Sequence, residues 1–162
     1  MIADALFSLM KRKPFRQISV TEICEEAAIG RKTFYRNFEL REDVIDFQLD
    51  LMRNEYQAEL EELPIEQRLS YHFSYIKNNA DYFISLYQSG LDQLAYEKFA
   101  IILPGAMPRW SDDEVEQEYR SAYITAGIGA IQRVWISRGC RESIDEVVEI
   151  ARRAQEKQIP IR

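Results

Sequence analysis

The stretch Gly30–Phe38, GRKTFYRNF, holds three basic and three aromatic side chains in nine positions. At 100° per residue Phe34 and Phe38 fall on one side of a helix, Lys32, Thr33, Tyr35 and Arg36 fall on the other, and Arg31 occupies the first turn. Two of the aromatics therefore belong to a core, and the third travels with the cations.

Working upstream, Ser19-Val20-Thr21-Glu22 is a capping box: the Ser19 hydroxyl can accept from the Glu22 amide while the Glu22 carboxylate reaches back to the Ser19 amide. It opens a short helix with Ile23 and Ala27 facing inward, which stops near Ala28 and Gly30. Before it, residues 2–12 place Ile2, Leu6, Leu9 and Met10 at helical spacing, and Lys13-Pro14 ends that run. Two short helices joined by a tight turn, the second exposing basic side chains, form the helix-turn-helix pattern. There the second helix enters the major groove. Arginine and lysine donate to guanine O6 and N7, and threonine or tyrosine meets a base, a thymine methyl or a phosphate. A solvated amphipathic helix in an unrelated bundle has the same spacing, so the pattern alone leaves both readings open.

Downstream the chain also reads as helix. A long connecting helix is expected over about residues 40–63, with Val44, Phe47, Leu51 and Met52 on one face, followed after Pro64 by helices near 66–79, 81–88 and 91–103. Two further capping-box patterns, Ser111–Glu114 and Ser143–Glu146, start two more, the first running to a left-handed cap at Gly139. No strand pattern or repeat appears. The expected fold is all-α, about nine helices: a three-helix helix-turn-helix head (residues 1–45) joined by the connecting helix to a helical bundle (residues 46–162).

The 162 residues carry a formal net charge of −6, unevenly spread. Between Lys11 and Arg41 eight basic residues face four acidic ones, whereas residues 54–162 hold 12 basic and 18 acidic. One end suits a polyanion and the remainder repels it. No apolar run approaches the roughly 20 residues that span a bilayer, and the N-terminus lacks a secretory pattern, so no membrane partner and a cytoplasmic location are expected. Two distant cysteines, Cys24 and Cys140, and a lone histidine, His72, argue against a metal site. Without a Gly-rich phosphate loop, a GxSxG elbow or a His/Cys pair at ligand spacing, neither an enzyme nor a cofactor is expected.

Residues 2–45, IADALFSLMKRKPFRQISVTEICEEAAIGRKTFYRNFELREDVI, closely resemble the DNA-binding domain of TetR/AcrR-family transcriptional regulators. The match is ungapped from the first helix through Phe15, Ser19-Val20, Ile23, Ala27, TFYRNF and Arg41. Residues 126–150 are more loosely similar to the last two helices of one C-terminal subgroup. This resemblance implies that Arg31, Lys32 and Tyr35 face bases with Thr21 reaching in from the preceding helix, and that Thr33, Arg36, Asn37 and Arg41 hold phosphates. The partner implied is a near-palindromic double-stranded DNA operator, bound by a homodimeric repressor that a small molecule releases. Pro14, Ala28 and Gly30 depart from the family's usual residues at the first loop, the turn and the N-cap.

The family dimer forms through the last two helices, and the residues support it independently. Gly127 and Gly129 interrupt a helix at about 1 kcal/mol each, and Ala122, Ala126 and Ala130 make a column of small side chains that admits a close neighbour. Ala126, Gly127, Ala130, Ile131 and Trp135 are the expected interface, with Ile128 and Val134 adding apolar area. A tight helix contact within one subunit would use the same residues. For an aromatic or lipophilic effector, Tyr75, Phe83, Tyr87, Phe99 and Tyr123 are the candidate lining, although tyrosines at helical spacing also serve as core. The alternative from another class is an all-helical sensor or co-regulator acting through protein contacts. Intact Arg31, Lys32, Tyr35 and Arg41 speak against it.

Overall fold

A computed structural model describes residues 1–102, 105 and 108–156. Among the described residues there is no strand, and nine α-helices follow one another: α1 (Ile2–Met10), α2 (Val20–Glu26), α3 (Arg31–Asn37), α4 (Arg41–Glu62), α5 (Ile65–Asn78), α6 (Ala80–Gln88), α7 (Asp92–Ala100), α8 (Glu114–Ser137) and α9 (Ile144–Glu156), with a 3-10 turn at Phe15–Gln17. None of them is long and apolar enough to cross a membrane. The helix expected to reach Leu103 is α7; Leu103 lies outside the described residues.

Two of the three capping boxes form. The Ser19 hydroxyl accepts from the Glu22 amide while the Glu22 carboxylate accepts from the Ser19 amide, and Ser143 and Glu146 do the same before α9. The third does not. Asp113 is the N-cap of α8, its carboxylate accepting from the amides of Val115 and Glu116, and the Ser111 hydroxyl donates to Glu116 instead. An Asp two residues downstream offers an ionised acceptor to the helix dipole, which outcompetes a neutral hydroxyl.

Chain reversals after α2 and α8 use one device. Past α2 the Ile29 amide donates to the Cys24 carbonyl and Ala28 takes φ 52°; past α8 the Cys140 amide donates to the Trp135 carbonyl and Gly139 takes φ 75°. After α8 the left-handed residues are Gly139, as expected, and the Cys140 that follows it (φ 50°); after α2 it is an alanine, whose Cβ meets the following carbonyl at a cost of about 1 kcal/mol.

The chain divides into two compact units. Residues 1–55 and 81–98 make one, residues 56–80 and 99–162 the other. Residues 46–55 and 81–98, placed with the bundle by the sequence reading, thus lie with the head. The contacts responsible are specific: Lys11 pairs with Asp81 at 2.7 Å, the Phe7 and Tyr82 rings lie 5.0 Å apart, and Lys98 bridges Asp46 and Asp50, both at 2.7 Å.

In the first unit α1 packs on α2 and α2 on α3 around Leu6, Ile18, Ile23, Phe34, Val44, Leu49 and Leu86. On α4 the buried stripe is Val44, Ile45, Leu49 and Met52; Phe47 and Leu51, expected inward, are exposed, though Phe47 meets the Phe38 ring at 5.7 Å. In the second unit α9 packs on α5 and α8. Its centre is Tyr56, fully buried, with Tyr71, Tyr75, Phe99 and His72 rings 5.1–5.9 Å away.

Candidate nucleic-acid interface

Phe34 decides how α3 is presented. Its side chain is fully buried, a gain of about 2–3 kcal/mol over leaving it in water, and this pins one face of a seven-residue helix too short to persist alone. Phe38, at the C-cap, is half-buried beside Phe34 at 5.9 Å. With that face fixed, Arg31, Lys32, Tyr35, Arg36 and Asn37 are exposed and Thr33 is half-buried. Tyr35 leans edge-on against Phe34 at 5.4 Å yet stays 57% exposed, so its hydroxyl reaches outward from a braced ring.

The cations of the head fall into two groups. Arg12 pairs with Glu26 at 2.6 Å, and Lys13 binds Glu22, which holds that carboxyl down at about 2, with help from the Ser19 amide and hydroxyl. Lys11 is bound to Asp81. By contrast, among the described residues Arg31, Lys32 and Arg36 have no acidic partner; Arg31 donates instead to the Thr21 hydroxyl. Thr21, on α2, and Arg31, on α3, are thereby brought together. Asn37 is committed to its own helix, donating to the Thr33 carbonyl at 2.7 Å. Arg16, which the sequence reading passed over, is also exposed and has no acidic partner among the described residues. Its position just before the capping box was the available signal.

Arg41 differs from its expected role as a phosphate ligand. Its Nη1 donates to the carbonyls of Phe15 (3.1 Å), Arg16 (3.4 Å) and Ile18, and its guanidinium lies 4.6 Å from the Phe15 ring centroid. Only 27% of the side chain is exposed. It clamps the loop that leads into α2, because the Phe15, Arg16 and Ile18 carbonyls converge there and one cation donates to all of them.

The other expected sites are distributed in ways a helical wheel does not separate. Ala126, Gly127 and Ala130 are exposed on α8 and Ile131 is half-buried, but Trp135 is 2% exposed: it packs edge-on against Phe73 at 5.6 Å and donates to the Glu142 carbonyl. Trp135, and Ile128 with it, are buried in the core of the second unit. The exposed stripe is completed instead by Tyr119, Tyr123 and Val134, with Ile150 exposed on α9. Of the expected pocket lining, Tyr75 and Phe99 are in the Tyr56 cluster of the second unit, Phe83 and Tyr87 belong to the first unit, and Tyr123 is 69% exposed. A cavity of about 360 Å³ exists elsewhere in the second unit, between α4, α5, α8 and α9. At its edge burial lowers His72 to about 4, against a hydrogen bond with Gln132 (3.1 Å); Nδ1 meets the Tyr56 hydroxyl at 2.9 Å.

The chain is all-helical among the described residues, and α2 and α3, joined by a tight turn, have the helix-turn-helix arrangement, with the α3 cations lacking an acidic partner among those residues. No protein-family model matches the chain. It is 28% identical over 153 residues, covering 85% of this chain and 79% of the relative, to the HTH-type dhaKLM operon transcriptional activator DhaS of Lactococcus lactis subsp. lactis (strain IL1403). The solved structure of a dihydroxyacetone kinase operon activator DhaS superposes with a TM-score of 0.66 over 94% of this chain and 90% of that one, at 23% identity. That likeness carries the fold from the head through α9.

Proposed function

We propose that the chain is a homodimeric regulator that binds a near-palindromic DNA operator through α3. The observation that carries this reading is the charge pattern of the head: Lys11, Arg12 and Lys13, just after α1, are paired with acids, while Arg31, Lys32 and Arg36 of α3, around an exposed Tyr35, have no acidic partner among the described residues, and neither does Arg16. Unpaired cations beside a hydrogen-bonding ring suit a phosphate-lined groove, where each neutralised phosphate releases counterions. Thr21 and Asn37 stand at the flanks, and Arg41 orders the loop before α2.

The dimer would use the stripe Tyr119, Tyr123, Ala126, Gly127, Ala130 and Val134 on α8 with Ile150 on α9, and what supports it is that these exposed residues make a largely apolar surface whose small middle allows two helices to approach closely. Two heads would then face major grooves about 34–36 Å apart or somewhat more. A small molecule in the bundle would bias DNA affinity by binding one state better than the other. The resemblance implies repression, whereas the similar Lactococcus protein is named an activator, so the proposal rests on operator binding and leaves the sign to a reporter assay.

Fluorescence anisotropy with the gene's own upstream DNA tests it. The wild type should bind with a steep salt dependence and a sequence preference, and Lys32→Ala, Arg36→Ala and Tyr35→Phe should each weaken it. Unchanged binding by all three would remove α3 from the interface.

A further inference from the structure

The cavity in the second unit has a divided lining. Leu60 of α4, Leu69 of α5, Ile124 and Ile128 of α8 and Trp110 form an apolar wall, and its volume of about 360 Å³ is in the range of small-molecule sites. Three charged side chains also line it: Glu66, Arg68 and Arg152, a surplus of one positive charge. Arg68 is anchored by donation from Nε to the Leu63 carbonyl at 3.0 Å. Arg152 is the informative one. Its neighbour Arg153 pairs with Glu149 at 2.7 Å, but Arg152 has no hydrogen bond or ion pair among the described residues. His72 adds no charge near neutral pH, since burial lowers it to about 4.

A neutral apolar occupant would cover Arg152 without giving it a partner, which costs free energy, and an organic cation would meet the surplus positive charge. We propose that this cavity binds a small amphiphilic carboxylate, its apolar body against Leu60, Leu69, Ile124 and Ile128 and its carboxylate on Arg152. The inference names the effector class of the proposed regulator, and its regulatory consequence rests on that reading.

Isothermal titration of the full chain with octanoate, 1-octanol and octylammonium tests the site without DNA. Octanoate should bind about tenfold or more tighter than octanol, the value of one charge-assisted contact, and octylammonium most weakly. Arg152→Ala, an exposed position, should bring octanoate down to the octanol level and leave octanol unchanged. Ile124→Trp, at a half-buried position, should fill the space and remove both, with an unaltered melting transition showing that the chain is folded. Equal affinities for octanoate and octanol, an Arg152→Ala variant that binds octanoate normally, or no heat with any probe would overturn the proposal. Anisotropy on operator DNA with and without octanoate separates the two readings. Octanoate binding that depends on Arg152 but leaves DNA affinity unchanged keeps the site and removes its regulatory role; DNA binding without any octanoate heat does the reverse.

Discussion

Replacing Arg41 by alanine and by lysine distinguishes a clamp from a DNA ligand. Alanine removes the donation to three carbonyls and the contact with the Phe15 ring. One hydrogen bond to a charged group is worth about 1.5–3 kcal/mol, but a single nitrogen serves all three carbonyls and water can replace it in part, so the loss should be about 2–3 kcal/mol in total. Lysine keeps the charge and loses the planar fork, and should lose about 1–2 kcal/mol. Both variants should loosen Ile18–Glu22, seen as faster amide exchange there, and both should weaken operator binding through the misplaced α2. The salt dependence carries the discrimination. If Arg41 neutralised a phosphate in each subunit, alanine would flatten the slope of log K against log salt by about 1.8 for a dimer, and lysine would restore it. A clamp leaves the slope within about 0.5 of wild type in both variants. Anisotropy titrations across a salt series measure this directly, and a flattened slope with full rescue by lysine would refute the reasoning.

Other consequences follow from particular residues. Ala28→Gly removes the Cβ from a φ of 52° and should raise stability by about 1 kcal/mol, visible as a higher melting temperature. His72 is held at about 4 by burial, below its unfolded value near 6.5; the unfolded chain then takes the proton first, so stability is lost as pH falls from about 6.5 to about 4, on the order of 3 kcal/mol. His72→Leu should flatten that limb of a pH-dependent denaturation series. Glu22, held down mainly by Lys13, contributes stability above its unfolded value of about 4.5 and loses it as pH falls toward about 2, so Glu22→Gln should lessen the acid sensitivity of the head in that window. A Cβ at Gly127 meets nothing within 4 Å in the subunit, so Gly127→Ala should stabilise α8 by about 1 kcal/mol in a monomer; a dimer that packs helices there should instead dissociate more readily on sedimentation.

The head was the most legible part of the sequence, because its signals are local. A capping box four residues long and two phenylalanines four apart specify where α2 begins and which face α3 buries. The charge of Arg41 was equally visible, but its direction was not: it depends on carbonyls 23–26 residues away, brought together only when the loop folds. Trp135 illustrates another limit. It shares α8 with the exposed alanines, and periodicity alone does not say whether an apolar side chain meets its own subunit or a second copy. The tyrosines misled for a related reason: Tyr75 serves the core and Tyr123 the surface. The cavity is lined largely by leucine and isoleucine, with charges spread over α5 and α9, a pattern indistinguishable in sequence from ordinary amphipathic helices.

Selection of the full chain against a random pool of duplex DNA tests the central claim with no operator sequence assumed. A regulator reading DNA through α3 enriches an inverted repeat whose half-sites are centred about one helical turn apart or somewhat more, and Lys32→Ala loses the enrichment while remaining folded. A pool that stays random with the wild type, or the same repeat recovered with Lys32→Ala, Arg36→Ala and Tyr35→Phe alike, would contradict it.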